Sequence, residues 1–301
     1  MNVLVAGFTT IDTIQLPMRQ ITSVGGPTCY AGLVCARFGY QVTPLTKVGN
    51  DFPDEQGVWL ARNGIVLRAG DRSATRPTTR FRIANSAGSR TLYLSSRCED
   101  LSVSQIPPDT RFNASLVSPI AGEVSPNLLA EISARSDFTF LDPQGFVRTF
   151  DREGKVGFGP VVDRSVLSRV DGVKMDRTEA EMLTGRSDPK GALEKIASIG
   201  LRRGIVTHGG EPCFVLDGAR IYKVEVPKAT VIDSTGAGDI LSGATLSWYL
   251  KTRDFLRSAC FGIAASALSM HMIALQKVDL PMSVDESAAK LFSMANPVAS
   301  A

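Results

Sequence analysis

The sequence predicts an α/β protein with a mostly parallel central sheet, helices on both faces of it and a smaller antiparallel sheet. From residue 115 onward, short apolar segments alternate with segments of helical spacing, which is the rhythm of βαβ units. Residues 78–84 and 90–95 instead alternate polar and apolar side chains around a turn at 85–89, as a partly exposed hairpin does. A chain of 301 residues can bury a substantial core in one large domain or two small ones.

Apolar periodicity, glycines and prolines set the individual elements. We expect strands at 3–8, 65–67, 115–120, 138–141, 172–175, 205–207 and 231–232. We expect helices at 28–39, at 54–63, from about 126, near 164–169, from 176 to 185, after 236 and, as a core helix, within 260–276. Besides the hairpin above, a second hairpin is expected at 212–216 and 220–226.

Composition and charge exclude several classes of function. The net charge of +3 is small and the Lys and Arg residues are dispersed, so the chain lacks the basic footprint of a nucleic-acid-binding protein. The first residues have no basic segment, which argues against a signal peptide. The longest nearly uncharged run, residues 260–276, is shorter than a membrane-spanning helix, so we expect no membrane partner.

Cysteine and histidine usage argues for a reducing compartment and against metal or histidine chemistry. The five cysteines are an odd number, lie far apart and form no C-x-x-C pair, which is typical of neither a disulfide framework nor a zinc site. We therefore expect a cytoplasmic protein. His208 and His271 are the two histidines, and we interpret both as structural. The motifs of P-loop enzymes, dinucleotide-binding domains, zinc peptidases and serine hydrolases are absent from the sequence.

A glycine-rich segment between a β-branched pair and an apolar helix carries the strongest functional signal. Gly236, Ala237 and Gly238 are predicted to form the first turn of that helix, where amides lack intrahelical acceptors and the helix dipole is positive. An anion is expected there, and Asp239 beside it is placed to accept a proton. This combination suits phosphoryl transfer to a hydroxyl. A helix start with an ordinary first-turn acid is the alternative interpretation.

Two further segments lie where open α/β sheets bind ligands. Asp12 follows the strand at 3–8 at its carboxyl end and is placed to accept hydrogen bonds from substrate hydroxyls. A turn aspartate that caps local amides has the same pattern, and that alternative stays open. Gly25 and Gly26 precede the next helix and would let a substrate approach the bare backbone.

Three motifs resemble those of one family. Residues 233–239 are similar to the D-T-x-G-A-G-D signature of the ribokinase/PfkB carbohydrate kinases, with Ser234 in place of the usual threonine. Gly25 and Gly26 resemble the start of the family's G-G-x-x-x-N motif, with Tyr30 in place of the asparagine. Residues 142–148 resemble the D-x-Q-G/A-x-x-R stretch of the archaeal and plant myo-inositol kinase branch. The resemblance runs from about residue 3 to residue 290.

The resemblance implies a fold and an activity. The fold is a ribokinase-like three-layer αβα sandwich in a single domain, residues 1–301, with a small β-sheet lid formed by about 13–20 and 71–99. The activity is that of an ATP-dependent kinase, in which Asp239 is the catalytic base and the amides of Gly236, Ala237 and Gly238 stabilise the transferred phosphoryl group. The residues implied to bind the substrate are Asp12, Gly25, Gly26, Tyr30, Gln144 and Arg148.

The resemblance also implies cofactors. Thr207 and Gly209 would lie along the phosphates of ATP, and residues 255–273 would help to form the adenine pocket. Asp176 and Glu179 match an N-x-x-E motif that supports Mg²⁺ through bound water, although their spacing is also that of a capping box. Asp233 would help to hold a monovalent cation such as K⁺ beneath the glycine-rich loop.

myo-Inositol is the substrate we expect first, because of residues 142–148 and the tyrosine at position 30. A nucleoside or furanose sugar is the second expectation. A catalytically silent ligand-binding regulator on the same fold is an alternative of a different class, against which the intact Asp239 argues. The expected partners are the small-molecule substrate and ATP, with a homodimer formed through the lid and no nucleic acid or membrane.

Overall fold

The structure is a computed structural model that describes residues 1–16, 18–86, 89–159 and 163–298. Its strands are β1 (Asn2–Ala6), β2 (Thr10–Gln15), β3 (Gln20–Gly25), β4 (Gln41–Leu45), β5 (Arg80–Ser86), β6 (Ser89–Ser96), β7 (Ala114–Val117), β8 (Thr139–Leu141), β9 (Arg148–Phe150), β10 (Val156–Phe158), β11 (Gly172–Asp176), β12 (Arg203–His208), β13 (Glu211–Asp217), β14 (Arg220–Val224) and β15 (Asn296–Val298). Its α-helices are α1 (Pro27–Arg37), α2 (Asp54–Arg62), α3 (Pro126–Ala134), α4 (Gln144–Val147), α5 (Arg177–Thr184), α6 (Pro189–Ser198), α7 (Ala237–Thr252), α8 (Phe255–Ser269) and α9 (Ser283–Ser293).

The larger sheet confirms the predicted α/β class. Its strand order is β15-β14-β13-β12-β11-β8-β7-β1-β4. The six strands from β12 to β4 in that order pair in parallel, and β13, β14 and β15 extend one edge with antiparallel pairs. The carboxyl ends of the parallel strands therefore lie together at one edge of the sheet, which is where ligands bind in this architecture.

Helices cover both faces of this sheet. In β1, the side chains of Val3 and Val5 belong to one apolar cluster and those of Leu4 and Ala6 to the other, and all four are buried. A strand buried on both faces reads as a continuous apolar run because successive side chains point to opposite sides. Helices α1, α7, α8 and α9 supply the first cluster, and α3, α5 and α6 supply the second. The result is the predicted three-layer sandwich.

The smaller sheet is also confirmed, with the strand order β3-β2-β5-β6. It pairs β2 with β3 and β5 with β6 antiparallel, and β2 with β5 in parallel. It begins at Thr10, earlier than the predicted lid boundary near residue 13, and ends at Ser96. Of the predicted turn at 85–89, residues 87 and 88 lie outside the described part of the chain.

Two predicted strands were wrong. Residues 65–67 and 231–232 are not strands, because neither segment pairs with a strand of either sheet. Val231 and Ile232 are exposed, and the amide of Ile232 donates to the carbonyl of Met270 instead of to a sheet neighbour. The helix predicted near residues 164–169 is confirmed and is a 3₁₀-helix. The first strand ends at Ala6, before its predicted end at residue 8, because Gly7 turns the chain away.

Two general properties bear on the class of protein. None of the helices in the described ranges has the length and apolar character that crossing a bilayer requires. All five cysteines are buried and free of disulfides.

Candidate active site

A cavity of about 670 Å³ opens at the carboxyl edge of the larger sheet. The segments that follow β1, β7, β8, β11 and β12 meet there, together with the start of α7. Its walls include the predicted site residues Asp12, Gly26, Tyr30, Gln144, Arg148, Asp176, Glu179, Thr207, Gly209, Gly236, Ala237, Gly238 and Asp239. Gly25 lies behind Asp12, and Asp233 lies beneath the start of α7. One cavity thus brings together residues that are dispersed over most of the chain.

Gly236 sets the start of helix α7. It is the N-cap residue with φ 74°, a left-handed conformation that glycine adopts without strain. A Cβ atom added at Gly236 would lie 2.5 Å from the ring of Tyr30, so the ring packs directly against the bare backbone. The amide of Ala237 donates to the Ser234 carbonyl at 3.2 Å. The amides of Gly236 and Gly238 are therefore the better candidates to face an anion at this helix start.

Asp239 lies in the first turn of α7 with 8% of its surface exposed. The hydroxyl of Ser118 donates to its Oδ1 atom at 3.3 Å. Burial and the nearby charge of Asp142 raise the pKa of Asp239 to about 7, against the opposing charges of Lys174 and Arg148. A carboxylate whose pKa lies near neutral pH is suited to accept a proton during a reaction.

The end of the cavity nearest the smaller sheet carries polar groups that can form hydrogen bonds. Asp12 is 5% exposed, and a Cβ atom added at Gly25 would lie 2.3 Å from its Oδ2, so only glycine fits beside this carboxylate. The Tyr30 hydroxyl is buried and, among the residues that the structure describes, has no hydrogen-bond partner. Gln144 Nε2 lies 3.5 Å from Ser118 Oγ, and Arg148 Nη1 donates to the Ile120 carbonyl at 3.2 Å. These groups give this end of the cavity a polar lining.

The opposite end is lined by the start of α5 and by apolar residues. Asp176 and Glu179 form the capping box: each carboxylate accepts the other's amide, at 2.7 and 2.8 Å. Burial, Asp176 and Asp142 raise the pKa of Glu179 to about 8, although Lys174 opposes the shift. Beyond them the wall becomes apolar, with residues of α8 and its neighbours, namely Val226, Ile263, Ala267 and Met270.

The charge around the cavity fits a bound divalent cation. The ammonium of Lys174 lies near the charges of Asp142, Glu179 and Asp176. Burial and the repulsion between neighbouring carboxylates raise the pKa values of Asp239 and Glu179. A divalent cation would relieve that repulsion. Within the described ranges no group of three or more acidic, histidine or cysteine side chains forms a ready-made metal cage. Magnesium commonly binds through one or two carboxylates, water and substrate phosphates, which agrees with this arrangement.

Comparison with known proteins points to one family. Residues 151–278 match the profile of the pfkB family carbohydrate kinases. This matched segment is a PfkB family carbohydrate kinase domain. It is a phosphotransferase, since the similar proteins of known name are kinases.

Two relatives and one solved structure show which named kinases this chain is similar to. It is 26% identical over 274 residues to the cytidine kinase of Thermococcus kodakarensis, covering 87% of this chain and 94% of that protein. It is 29% identical over 236 residues to the inositol 3-kinase of Zea mays, covering 73% of this chain and 58% of that protein. Its fold matches a pyrophosphate-dependent kinase in the ribokinase family complexed with a pyrophosphate analog and myo-inositol, with a TM-score of 0.78, 22% identity and coverage of 91% and 97%.

Sequence reasoning missed Lys174, which lies on the central strand β11 of the kinase. Its ammonium forms a salt bridge of 3.0 Å with Asp142, whose side chain is fully buried, and Ser242 Oγ donates to the same carboxylate at 3.3 Å. Burial alone would lower the pKa of Lys174, but Asp142, Glu179 and Asp176 raise it. A Cβ atom added at Gly238 would lie 2.9 Å from the ammonium. The signal in the sequence that could have identified Lys174 is a charged residue within an otherwise apolar strand.

Glu123 was also missed, and it joins two loops at the carboxyl edge of the larger sheet. Its side chain is fully buried and accepts hydrogen bonds from the amides of Phe8, Ile120 and Ala121, at distances from 2.7 to 3.1 Å. Burial raises the pKa of Glu123, and these amide hydrogen bonds oppose the shift. The carboxylate joins the segment that leads to Asp12 to the segment that carries Ser118. An acidic residue after a strand gives no sign of such a long-range contact.

Proposed function

We propose that this protein is an ATP-dependent kinase that phosphorylates a hydroxyl of a small polyol, with myo-inositol as the first candidate. The observation that carries the proposal is the position of Asp239. This buried carboxylate lies at a helix start and lines the same cavity as Asp12 on one side and Glu179 on the other. A group between a hydroxyl-binding end and an anion-binding end is placed to remove the proton of the attacking hydroxyl.

In the proposed reaction, Asp12 and the backbone of Gly25 and Gly26 orient the acceptor hydroxyl. Asp239 takes the proton of that hydroxyl as its oxygen bonds to the γ-phosphorus of ATP. The bond between the γ-phosphorus and the bridging oxygen breaks, and ADP leaves with the bond's electron pair. Ser118, which donates to Asp239 Oδ1 at 3.3 Å, holds the carboxylate in orientation.

Three groups stabilise the charge on the transferred phosphoryl group in this proposal. They are the amides of Gly236 and Gly238, at the positive end of the α7 dipole, and the ammonium of Lys174, which approaches Gly238 closely. Mg²⁺, when bound, would neutralise phosphate oxygens, and Glu179 with Asp176 would hold it through water. Thr207 and Gly209 line the same end of the cavity and would contact the donor phosphates.

ATP is the donor we favour over pyrophosphate. Beyond the phosphate end, the cavity continues along the apolar side chains of Ile263, Ala267 and Met270. A purine ring would bury apolar surface there, whereas pyrophosphate has no group to fill that space. We compare ATP with pyrophosphate because a kinase of similar fold is pyrophosphate-dependent and was solved with a pyrophosphate analog.

A nucleoside acceptor is the second candidate. The smaller sheet contributes Phe81, Ile83 and Leu92 to the cavity wall, and such a wall can pack on a nucleobase as well as on the carbon face of a cyclitol ring. The cytidine kinase relative supports this alternative. The likeness of residues 142–148 to the myo-inositol kinase branch and the inositol 3-kinase relative support the cyclitol.

The proposed state of the protein is a cytoplasmic homodimer that associates through the smaller sheet. Strand β3 is one edge of that sheet, and an edge strand offers unpaired backbone groups to a second copy. The other edge, β6, is partly covered, because the Leu94 amide donates to the Gly154 carbonyl. Buried free cysteines agree with a reducing compartment. Light scattering of the purified protein measures the association directly.

A coupled assay of nucleoside diphosphate release tests the proposed function. The panel contains myo-inositol and other cyclitols, ribose, fructose, cytidine and adenosine, each with ATP, and each acceptor is also tested with pyrophosphate by product analysis. We expect ATP with a cyclitol to give the highest kcat/KM. Phosphorylation of nucleosides alone would support the second candidate. If no acceptor is phosphorylated by either donor although ATP and a cyclitol bind, the protein is a silent ligand-binding regulator.

A further inference from the structure

Lys277 is a buried lysine that the proposed chemistry does not use. It lies in the 3₁₀-helix Ala274–Val278, which follows α8, and its side chain is 0% exposed. Removing an ammonium group from water costs several kcal/mol unless other groups replace its hydration shell. A fully buried lysine therefore needs a specific set of oxygen partners.

The partners of Lys277 belong to the loop that leads into α7. Its Nζ atom lies 3.0 Å from Asp233 Oδ2 and donates to the carbonyl oxygens of Asp233 and, at 2.8 Å, Thr235. The Asp233 carboxylate also accepts the amides of Thr235 at 2.8 Å and Ala274 at 3.1 Å. The ammonium thus connects the segment after α8 with residues 233–235, directly before the N-cap Gly236.

These contacts fix the direction in which the loop's amides point. In a trans peptide the C=O and N–H groups point in opposite directions, and the described chain has no cis peptide bond. Because the Thr235 carbonyl points at Lys277, the amide of Gly236 points away from Lys277. Gly236 lines the cavity, so this orientation presents its amide to the anion position.

We propose that Lys277 is a positioning residue that serves as a built-in monovalent cation beneath the phosphoryl-binding loop. Carboxylate and carbonyl oxygens gathered around one compact positive charge are the ligands that a hard monovalent cation would take. The ammonium fills this place and makes catalysis independent of added K⁺, in contrast to the monovalent cation that the family resemblance implies at Asp233. The kinetic part of the test rests on the proposed function, and the thermal part does not.

The first arm of the test uses the unmodified protein. Turnover is measured at fixed ionic strength in KCl and in tetramethylammonium chloride, whose cation is too large for a site of this kind. We expect kcat to differ by less than roughly twofold, because a covalently attached charge needs no ligand from solution. A fall of roughly tenfold or more in the absence of K⁺ would overturn the proposal.

The second arm replaces the ammonium. Lys277→Met keeps an unbranched side chain but ends one atom short of the Nζ position, so it removes the charge and leaves the place of the ammonium open. In tetramethylammonium chloride we expect kcat to fall about 10²-fold, as when an oxyanion-hole donor is lost, with a much smaller change in KM for the acceptor. NH₄⁺ or K⁺ should restore at least roughly tenfold of this loss by occupying the vacated space. Lys223→Met, at an exposed lysine on β14 paired with Glu225, is the matched control and should behave as the wild type.

The third arm is independent of catalysis. KCl or NH₄Cl should raise the melting temperature of Lys277→Met relative to tetramethylammonium chloride, because a cation that binds the folded state stabilises it, and should leave the wild type and Lys223→Met unchanged. Lack of any cation response in Lys277→Met, in both kcat and melting temperature, would overturn the proposal. If this variant does not fold, the wild-type comparison decides. If no acceptor is phosphorylated, the proposed function fails and the thermal result still tests Lys277.

Discussion

At the scale of single residues, the proposed chemistry depends on a carboxyl group whose pKa lies near neutral pH. Asp239 has a pKa of about 7 because it is buried and lies near the charge of Asp142. Lys174 and Arg148 limit the shift. With a pKa of about 7, the Asp239 carboxyl group is mostly ionised above pH 7. It is still basic enough for the proposed role of taking a proton from a hydroxyl.

Asp239→Asn should lower kcat by roughly 10²-fold or more with little change in the dissociation constant for ATP, since base catalysis is typically worth 10²–10⁴-fold. Steady-state kinetics and calorimetric titration of ATP measure the two quantities. Asp188→Asn changes another aspartate at a helix start, the N-cap of α6, and is the control that should leave kcat unchanged. Near-normal kcat in folded Asp239→Asn would remove the assignment of the base.

The pH dependence of kcat/KM should follow Asp239. The base acts when deprotonated, so kcat/KM should rise with pH through about 7. Lys174→Met removes a positive charge that lowers this pKa, so the midpoint should move to higher pH by roughly one pH unit. Lys190→Met, at an exposed lysine of α6 paired with Glu194, should not move it. A midpoint that stays in place or moves to lower pH in Lys174→Met contradicts the electrostatic role of Lys174.

Asp12→Ala should lose kcat/KM for the acceptor by roughly 10²-fold, equivalent to about 2.7 kcal/mol, because hydroxyls in a closed site lose their acceptor. ATP binding measured without acceptor should not change. Acceptors that lack one hydroxyl should be poor substrates of the wild type and should be discriminated less by the variant. Weaker ATP binding, or unchanged acceptor kinetics with lower thermal stability, would favour the turn-capping role of Asp12.

At the scale of elements, the site depends on loops that are tied together from distant parts of the chain. The Glu123 carboxylate accepts the Phe8 amide across 115 residues of sequence and also accepts amides of its own loop. It holds the exits of β1 and β7 side by side, and these exits lead to Asp12 and Ser118. Because the amides of Phe8, Ile120 and Ala121 all donate to this one buried carboxylate, we assign Glu123 a role in stability.

Glu123→Gln should lower the free energy of unfolding by about 1–3 kcal/mol, because the amide NH₂ group cannot accept the hydrogen bonds that one carboxylate oxygen accepted. Urea unfolding followed by circular dichroism measures the change. Glu131→Gln, on α3 in a half-exposed pair with Arg135, is the control and should stay within about 0.5 kcal/mol of the wild type. Equal stability of Glu123→Gln and the wild type would show that the buried acid does not hold these loops.

Local signals predicted some elements well and others badly. The capping box of Asp176 and Glu179 and the hairpin turn at Asp217 were predicted because each depends on residues only a few positions apart in the sequence. The strands predicted at residues 65–67 and 231–232 were wrong. β-Branched residues favour extended backbone, but a strand also needs a neighbouring strand to pair with. Pairing is a property of the tertiary structure.

At the scale of the whole molecule, the sequence predicted the layers but not the order of the strands. Alternating apolar segments and helices indicate a parallel sheet, yet nothing local to β1 shows that it lies between β4 and β7. The candidate site was predicted where a motif marks it, as at Asp239 and Asp12. Lys174 and Lys277 were missed because their partners Asp142 and Asp233 lie 32 and 44 residues away. Such contacts arise only when the sheet is assembled.

The proposed reaction moves a phosphoryl group from ATP to a polyol hydroxyl with Asp239 as the base. A ³¹P NMR time course with ATP, Mg²⁺ and myo-inositol, run in parallel with wild type and Asp239→Asn, follows this transfer. We expect the wild type to form ADP and a phosphomonoester in equal amounts, and the variant to form the ester roughly 10²-fold more slowly. Release of inorganic phosphate without ester, or ester formed equally fast by both proteins, would contradict it.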